Sequence, residues 1–419
     1  MTAASSRAST GTINPRNLAY LDEHIQRYIS SGRPAGALTV VYDKGEIAYW
    51  SAYGLRDRER GKPVTDNTIF RIYSMTKPIA SVALMQLYER GLVQLDDPVH
   101  RYIPSWEKLR VYQYGSYPQL RTTPCQRSMT IRDLLSHQSG LTYHYAPVPG
   151  PQPGRERGAT AVAAAYRQVG IARMDCTLQH MVDALSELPL EFSPGTAWNY
   201  SISTDVVGYL VEVISGQRFD RYLQERIFEP LGMRDTGFWV RPDQANRLAT
   251  NYASPATGDG IEVFDDAATS HFLREPTFLS GGGGLVSTAG DYLRFCQMLL
   301  GKGQLDGAWI IGRKTLELMT KNHLTGNRSI AEAAFDESDP KYAGNGFGLG
   351  FAVVLDTPDA QISGTAGQYY WSGAAGTFFW IDPIEELAVV FMTQYMAWSP
   401  APRFNVAREL RAIVYGALE

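Results

Sequence analysis

Ser74 and Lys77 stand three apart in Phe70-Arg71-Ile72-Tyr73-Ser74-Met75-Thr76-Lys77-Pro78, just ahead of a largely apolar run from Ile79 to Leu87. Residues three apart at a helix start lie one turn from each other on one face. A serine hydroxyl is a weak nucleophile until a base sits beside it, and a lysine that has lost its proton can be that base. Pro78 fits only the first turn of a helix, because it lacks an N–H. Ser74 is therefore expected at or near the helix N-terminus, where the peptide dipoles favour a developing negative charge. An ordinary capping serine beside a solvated lysine has the same spacing, so other residues must decide.

Two further segments bear on the choice. Phe192-Ser193-Pro194-Gly195-Thr196-Ala197-Trp198-Asn199-Tyr200-Ser201-Ile202 runs into a helical pattern from Thr204. A tyrosine there can carry a proton. Tyr370-Trp371-Ser372-Gly373-Ala374-Ala375-Gly376-Thr377 reads as a strand edge rich in small residues. Glycine in a strand lets a ligand approach the backbone, and free N–H groups on an edge can receive an oxyanion. Singly, a packing tyrosine and a bulge explain these segments. Together with Ser74 they point to acyl transfer. Other chemistries have little support. No Gly-x-Ser-x-Gly elbow occurs, which argues against a Ser-His-Asp hydrolase of the α/β type. His137 lies between Ser136 and Gln138 at a helix end and reads as structural. The chain has no His-Glu-x-x-His and no Cys-x-x-Cys, so no metal is expected. Gly281–Gly284 is not followed by Gly-Lys-Ser/Thr and reads as a tight turn before a helix at Thr288. No cofactor is expected.

The elements that must hold these residues are mixed. Asn17 to Ser31 looks helical, and Ala37 to Gly54 looks like a hairpin turning at Asp43-Lys44-Gly45. The Ser74 helix should end near Gly91. Between Asp96 and Gly232 there is little strand signal. Helical patches at Thr130–Ser136, Ala159–Val169, Leu178–Leu188 and Thr204–Ile214 alternate with Pro/Gly/Tyr-rich loops, the longest being Tyr145–Gly158 with four prolines and three glycines. Strands return at Gly348–Leu355, Tyr370–Ile381 and Leu387–Thr393. A final helix, Pro402–Leu418, puts Phe404, Ala407, Leu410 and Val414 on one face. The fold class expected is α/β of the α+β type, an antiparallel sheet flanked by helices plus a mostly helical domain. Residues 1–95 and 233–419 would form the α/β domain and residues 96–232 the helical one, with the active site at their interface.

Composition excludes several partners. Thirty-nine Lys+Arg against 43 Asp+Glu give a net charge of −4 over 419 residues, which is no footprint for nucleic acid or an anionic membrane. Met1 to Asn17 has no apolar core of signal-peptide length, and no stretch of about 18 apolar residues could span a bilayer. Three scattered cysteines, Cys125, Cys176 and Cys296, read as reduced thiols in a cytoplasm. The partner expected is a small-molecule ester; oligomeric state is not legible.

In motif order the chain resembles the serine β-lactamase and penicillin-binding-protein superfamily, and within it the class C β-lactamase-like esterases, the family VIII carboxylesterases. Ser74-Met75-Thr76-Lys77 matches Ser-x-x-Lys. Gly91–Val99, Thr130–Leu141 with its Leu-Leu-x-His-x-Ser-Gly-Leu, Phe192–Tyr200 with Phe-x-Pro-Gly-x-x-Trp-x-Tyr, and Gly281–Met298 follow in family order over roughly residues 35 to 395. The resemblance implies Ser74 as nucleophile and Lys77 and Tyr200 as the shared base. It also implies an oxyanion hole from the backbone N–H groups of Ser74 and Ala374. Two departures matter. The family's Tyr-x-Asn reads Tyr200-Ser201-Ile202, and its Lys-Thr-Gly reads Trp371-Ser372-Gly373. A lysine there attracts the β-lactam carboxylate, which an indole cannot do. Trp371, Ser372, Gly373 and Ile202 are thus expected to line a site for small acyl esters, with apolar groups packing on the indole. Acyl transfer, weak β-lactam or D-amino-peptide hydrolysis on the same residues, and a non-catalytic penicillin-binding-like sensor are the alternatives. A sensor has no need to keep Tyr200.

Overall fold

Leu387–Thr393, Leu-Ala-Val-Val-Phe-Met-Thr, is apolar almost throughout and buried along its whole length. A run of this kind belongs at the centre of a sheet covered on both faces. In the computed structural model, which describes residues 13–145, 148–149, 156–157, 160–255, 260–335, 342–396 and 405–419, it does lie there. The main sheet has eight strands: β1 (Gly36–Asp43), β2 (Glu46–Asp57), β3 (Lys62–Pro63), β4 (Asn345–Phe347), β5 (Ala352–Val354), β6 (Tyr369–Ser372), β7 (Phe378–Asp382) and β8 (Leu387–Thr393). Their spatial order is β4-β5-β6-β7-β8-β1-β2-β3, and every pairing is antiparallel. The two ends of the described chain therefore share one sheet, joined where Val40 of β1 stands opposite Val390 of β8.

Side-chain alternation splits the core between the two faces. Ala37 and Val41 of β1, Phe378 and Trp380 of β7, and Val389 and Phe391 of β8 pack on one side. Leu38, Val40, Phe379, Ile381, Val390 and Met392 pack on the other. The helices that cover these faces or hold the site are α1 (Pro15–Ser30), α2 (Thr76–Glu89), α3 (Ile131–Leu135), α4 (Ala161–Val169), α5 (Leu178–Ser186), α6 (Ser203–Ser215), α7 (Ala289–Leu300) and α8 (Val406–Tyr415). Leu18, Leu21 and Ile25 of α1, with Leu410 and Val414 of α8, close the first face. Tyr292 and Phe295 of α7 close the second. Helix α2 is different, because every residue from Thr76 to Met85 is buried. A helix buried all round runs through the middle of a protein, and α2 packs along α6.

Several expectations shift. Tyr370–Ile381 is two strands, β6 and β7, because Gly373–Gly376 turns the chain and Gly376 takes a φ of 79°. The strand expected over Gly348–Leu355 shrinks to β5. A hairpin, Arg110–Tyr114 with Arg121–Pro124, appears where little strand was expected. Its first strand finds a further partner in Leu190, whose carbonyl accepts from Tyr112 N at 2.8 Å. Residues 402–404 of the expected final helix, and most of the Tyr145–Gly158 loop, lie outside the described residues. Among the described residues no helix is long and apolar enough to cross a membrane.

One buried carboxyl near the start of α7 makes stability depend on pH. Burial raises Asp291 to about 6, although its carboxylate accepts from Asp235 N and Thr236 Oγ1. A carboxyl whose folded value lies above its unfolded one contributes stability at low pH and loses it as pH rises through the folded value. Asp291→Asn, which does not titrate, should therefore gain in Tm relative to the parent as pH rises from about 4 to about 7. Thermal melts across that range check this; a difference that shrinks with rising pH would refute it.

Candidate active site

Tyr73–Met75 form one 3₁₀ turn directly ahead of α2, with Tyr73 in the left-handed region at φ 41°. A non-glycine residue there carries about 1–3 kcal/mol of strain, which the surrounding structure must hold. Asn251 Nδ2 donates to the Tyr73 hydroxyl at 3.0 Å, and the ring packs edge-on to Phe272. The turn lifts Ser74 out of α2 proper, and the serine stays half-buried.

Lys77, one turn on, is only 1% exposed. Its Nζ lies 3.2 Å from Ser74 Oγ and donates to the Gly282 carbonyl at 2.6 Å. The same nitrogen sits 4.6 Å from the centre of the Tyr200 ring and 5.5 Å from that of Tyr143. The Gly282 carbonyl thus gives a buried N–H of Lys77 its acceptor.

Tyr200 ends the loop that runs into α6. Its hydroxyl accepts from Trp371 Nε1 at 3.3 Å and shares a hydrogen bond with Tyr143. Burial pushes the Tyr143 hydroxyl far above the usual tyrosine range, and negative charge on Tyr200 would push it further, so Tyr143 is held as a neutral donor. Below the Tyr200 ring lies His137, at φ 57° just past α3, its ring 4.9 Å away. Burial, with the Lys77 charge adding to it, holds His137 far below its ordinary value. Its Nδ1 contacts Ser201 Oγ at 3.3 Å, and its ring also packs on Trp198 and Phe347. A neutral imidazole wedged between rings is a spacer under Tyr200.

The third side comes from β6. A Cβ on Gly373 would fall 2.4 Å from the Ile72 carbonyl oxygen, so only glycine lets the strand end come this close to the segment that carries Ser74. Gly373 N donates to Thr377 O at 2.7 Å and closes a turn that holds Ala374 exposed. Trp371 is 4% exposed and stands edge-on to Phe347. Ser372 is exposed, and Ile202 packs in the main core at 1% exposure. The structure thus gathers Ser74, Lys77, Tyr200 and Trp371 into one contact network and lays the Gly373–Ala374 turn along the residues before Ser74.

Sequence reasoning passed over Tyr143 and Asp205. Tyr143 stands two residues past Ser139-Gly140-Leu141, a position that carries no mark in the sequence. Asp205 carried a signal: it is the one acidic residue in Ser-Thr-Asp-Val-Val-Gly-Tyr-Leu-Val, the otherwise apolar opening of α6.

Comparison with known proteins adds a family to this geometry. The profile of the Beta-lactamase family matches residues 21–412. Protein Rv1367c of Mycobacterium tuberculosis is 34% identical over 88% of each chain. Esterase EstB of Burkholderia gladioli is 31% identical over 94% of each chain. Among solved structures, EstCE1, described as a hydrolase with promiscuous acyltransferase activity, superposes with a TM-score of 0.77 at 26% identity, covering 96% of this chain and 99% of its own.

Proposed function

We propose that this chain, which belongs to the Beta-lactamase family, is a serine ester hydrolase acting on small acyl esters through an acyl-enzyme on Ser74. The observation that carries the reading is the buried Lys77 Nζ 3.2 Å from Ser74 Oγ. Ser74 attacks the ester carbonyl while Lys77 and Tyr200 share its proton. The N–H groups of Ser74 and Ala374 receive the oxyanion, each such donor being worth about 3 kcal/mol in acyl transfer. The alcohol leaves with a proton from Tyr200, and water then cleaves the acyl-enzyme by the same route in reverse. The likeness to EstB and EstCE1 supports an ester as substrate. Within the family we place the chain with the family VIII carboxylesterases. We also place it in the cytoplasm, a reading supported by the free thiols of Cys125, Cys176 and Cys296.

Acyl transfer to an alcohol is the second reading. It is favoured by the stack of Tyr143 on Tyr145, 4.5 Å apart, with Tyr145 exposed and able to seat an apolar acceptor. The test is turnover of p-nitrophenyl esters of graded chain length, with one cephalosporin and with and without an added alcohol. We expect rapid ester turnover and little cephalosporin opening. A new ester formed in the presence of the alcohol identifies transfer. No turnover of any ester, together with no adduct on Ser74 from an alkyl phosphonate, overturns the reading.

Trp371 should set the preference between esters and β-lactams. Trp371→Lys puts back a charge that attracts a carboxylate and removes an indole from the cleft wall. The ratio of cephalosporin to p-nitrophenyl butyrate turnover should rise in this variant. A ratio that falls, or stays flat in a folded protein, shows that another position sets the preference.

A further inference from the structure

We propose that Asp205 is a positioning residue that docks the Gly281–Gly284 turn onto α6 and so presents the Gly282 carbonyl to Lys77. The proposal rests on the reading of Lys77 as the base. Asp205 is 4% exposed at the start of α6, and a buried carboxylate must find hydrogen-bond donors. Its Oδ1 accepts from Gly282 N at 3.0 Å and from Ser280 Oγ at 2.5 Å. The carbonyl of that same Gly282 accepts from Lys77 Nζ at 2.6 Å, and Nζ reaches Ser74 Oγ at 3.2 Å. One residue of backbone thus joins the carboxylate to the amine.

The glycine run takes its composition from this docking. A Cβ on Gly281 would fall 2.4 Å from the Thr204 carbonyl oxygen, and one on Gly282 would fall 2.5 Å from Asp205 Oδ2. A side chain at Gly281 presses on the Thr204 backbone, and one at Gly282 displaces the Asp205 carboxylate that holds the turn. The run is therefore more than a tight turn: it is a close-approach surface for the start of α6.

Misplacing a catalytic group by about 1 Å can lower the rate by about a hundredfold. Asp205→Ala should accordingly lower kcat on p-nitrophenyl butyrate by about 10- to 100-fold with KM nearly unchanged, since the residue touches no substrate. Asp205→Asn keeps an oxygen that can accept from Gly282 N and should recover most of kcat. Gly282→Ala should reproduce the Asp205→Ala loss, and the double variant should be no worse than either single one. A crystal structure of Asp205→Ala reads the docking without reference to any reaction, and the Gly282 carbonyl should leave Lys77 Nζ. If that carbonyl keeps its place, the proposal is overturned whatever the enzyme hydrolyses. If the parent enzyme turns over esters and Asp205→Ala does so equally well, the positioning role alone fails. If the parent fails on every ester, the esterase reading fails and the crystal structure still decides the docking.

Discussion

Replacing Ser74 with alanine should lower hydrolysis of p-nitrophenyl butyrate by about four orders of magnitude or more, with the fold intact. Removal of a nucleophile leaves only the contribution of binding and oxyanion donors, and in serine hydrolases that residue of activity is small. The fold should survive because the change deletes one half-buried hydroxyl. Lys77 Nζ keeps its 2.6 Å bond to the Gly282 carbonyl, so the buried amine keeps an acceptor. Tyr73 keeps its bond from Asn251, so the turn ahead of α2 keeps its anchor. Tm should move by no more than a few degrees. Intact-mass and peptide mass spectrometry after an alkyl phosphonate should place the adduct on Ser74 in the parent and show none in the variant. An adduct on any other serine, or hydrolysis persisting in the variant, would sink the mechanism.

How much of this site is legible in the amino-acid sequence depends on how local its cause is. Ser74 and Lys77 are three residues apart, so their nearness follows from local helical spacing. Leu387–Thr393 is legible for the same reason, since an unbroken apolar run declares a buried strand. The elbow at Tyr73 is not legible. Its left-handed φ is held by Asn251 and Phe272, which are far away in sequence. Ser74 consequently sits in a 3₁₀ turn, and α2 begins at Thr76, one residue later than a serine at the cap would place it. Gly281–Gly284 reads as a turn, which is a local property. The reason it must be glycine lies at Thr204 and Asp205 on another element. Ile202, expected at the cleft from its motif position, packs in the same core cluster as Trp371.

Lys77→Ala and Tyr200→Phe should each lower kcat by about two orders of magnitude or more, the usual scale for losing a general base. Their effects should not add. In the proposed mechanism the two groups handle one proton, so losing either should disable the pair. The two variants differ in what they leave behind. Tyr200→Phe keeps the ring against His137 and Lys77 Nζ, and unpairs only Trp371 Nε1 and its bond to Tyr143. Its stability should change little. Lys77→Ala removes a buried stem and leaves the Gly282 carbonyl without its donor, which costs about 1–3 kcal/mol, so Lys77→Met belongs beside it to refill the volume. Kinetics on the two single variants and the double variant form a cycle. A double variant about as slow as the worse single one supports a shared base. A multiplicative loss would mean that Lys77 and Tyr200 serve separate steps. Near-parental kcat in Tyr200→Phe would move the proton to another hydroxyl, and Tyr143, the neutral donor already bonded to Tyr200, would be the one to replace next.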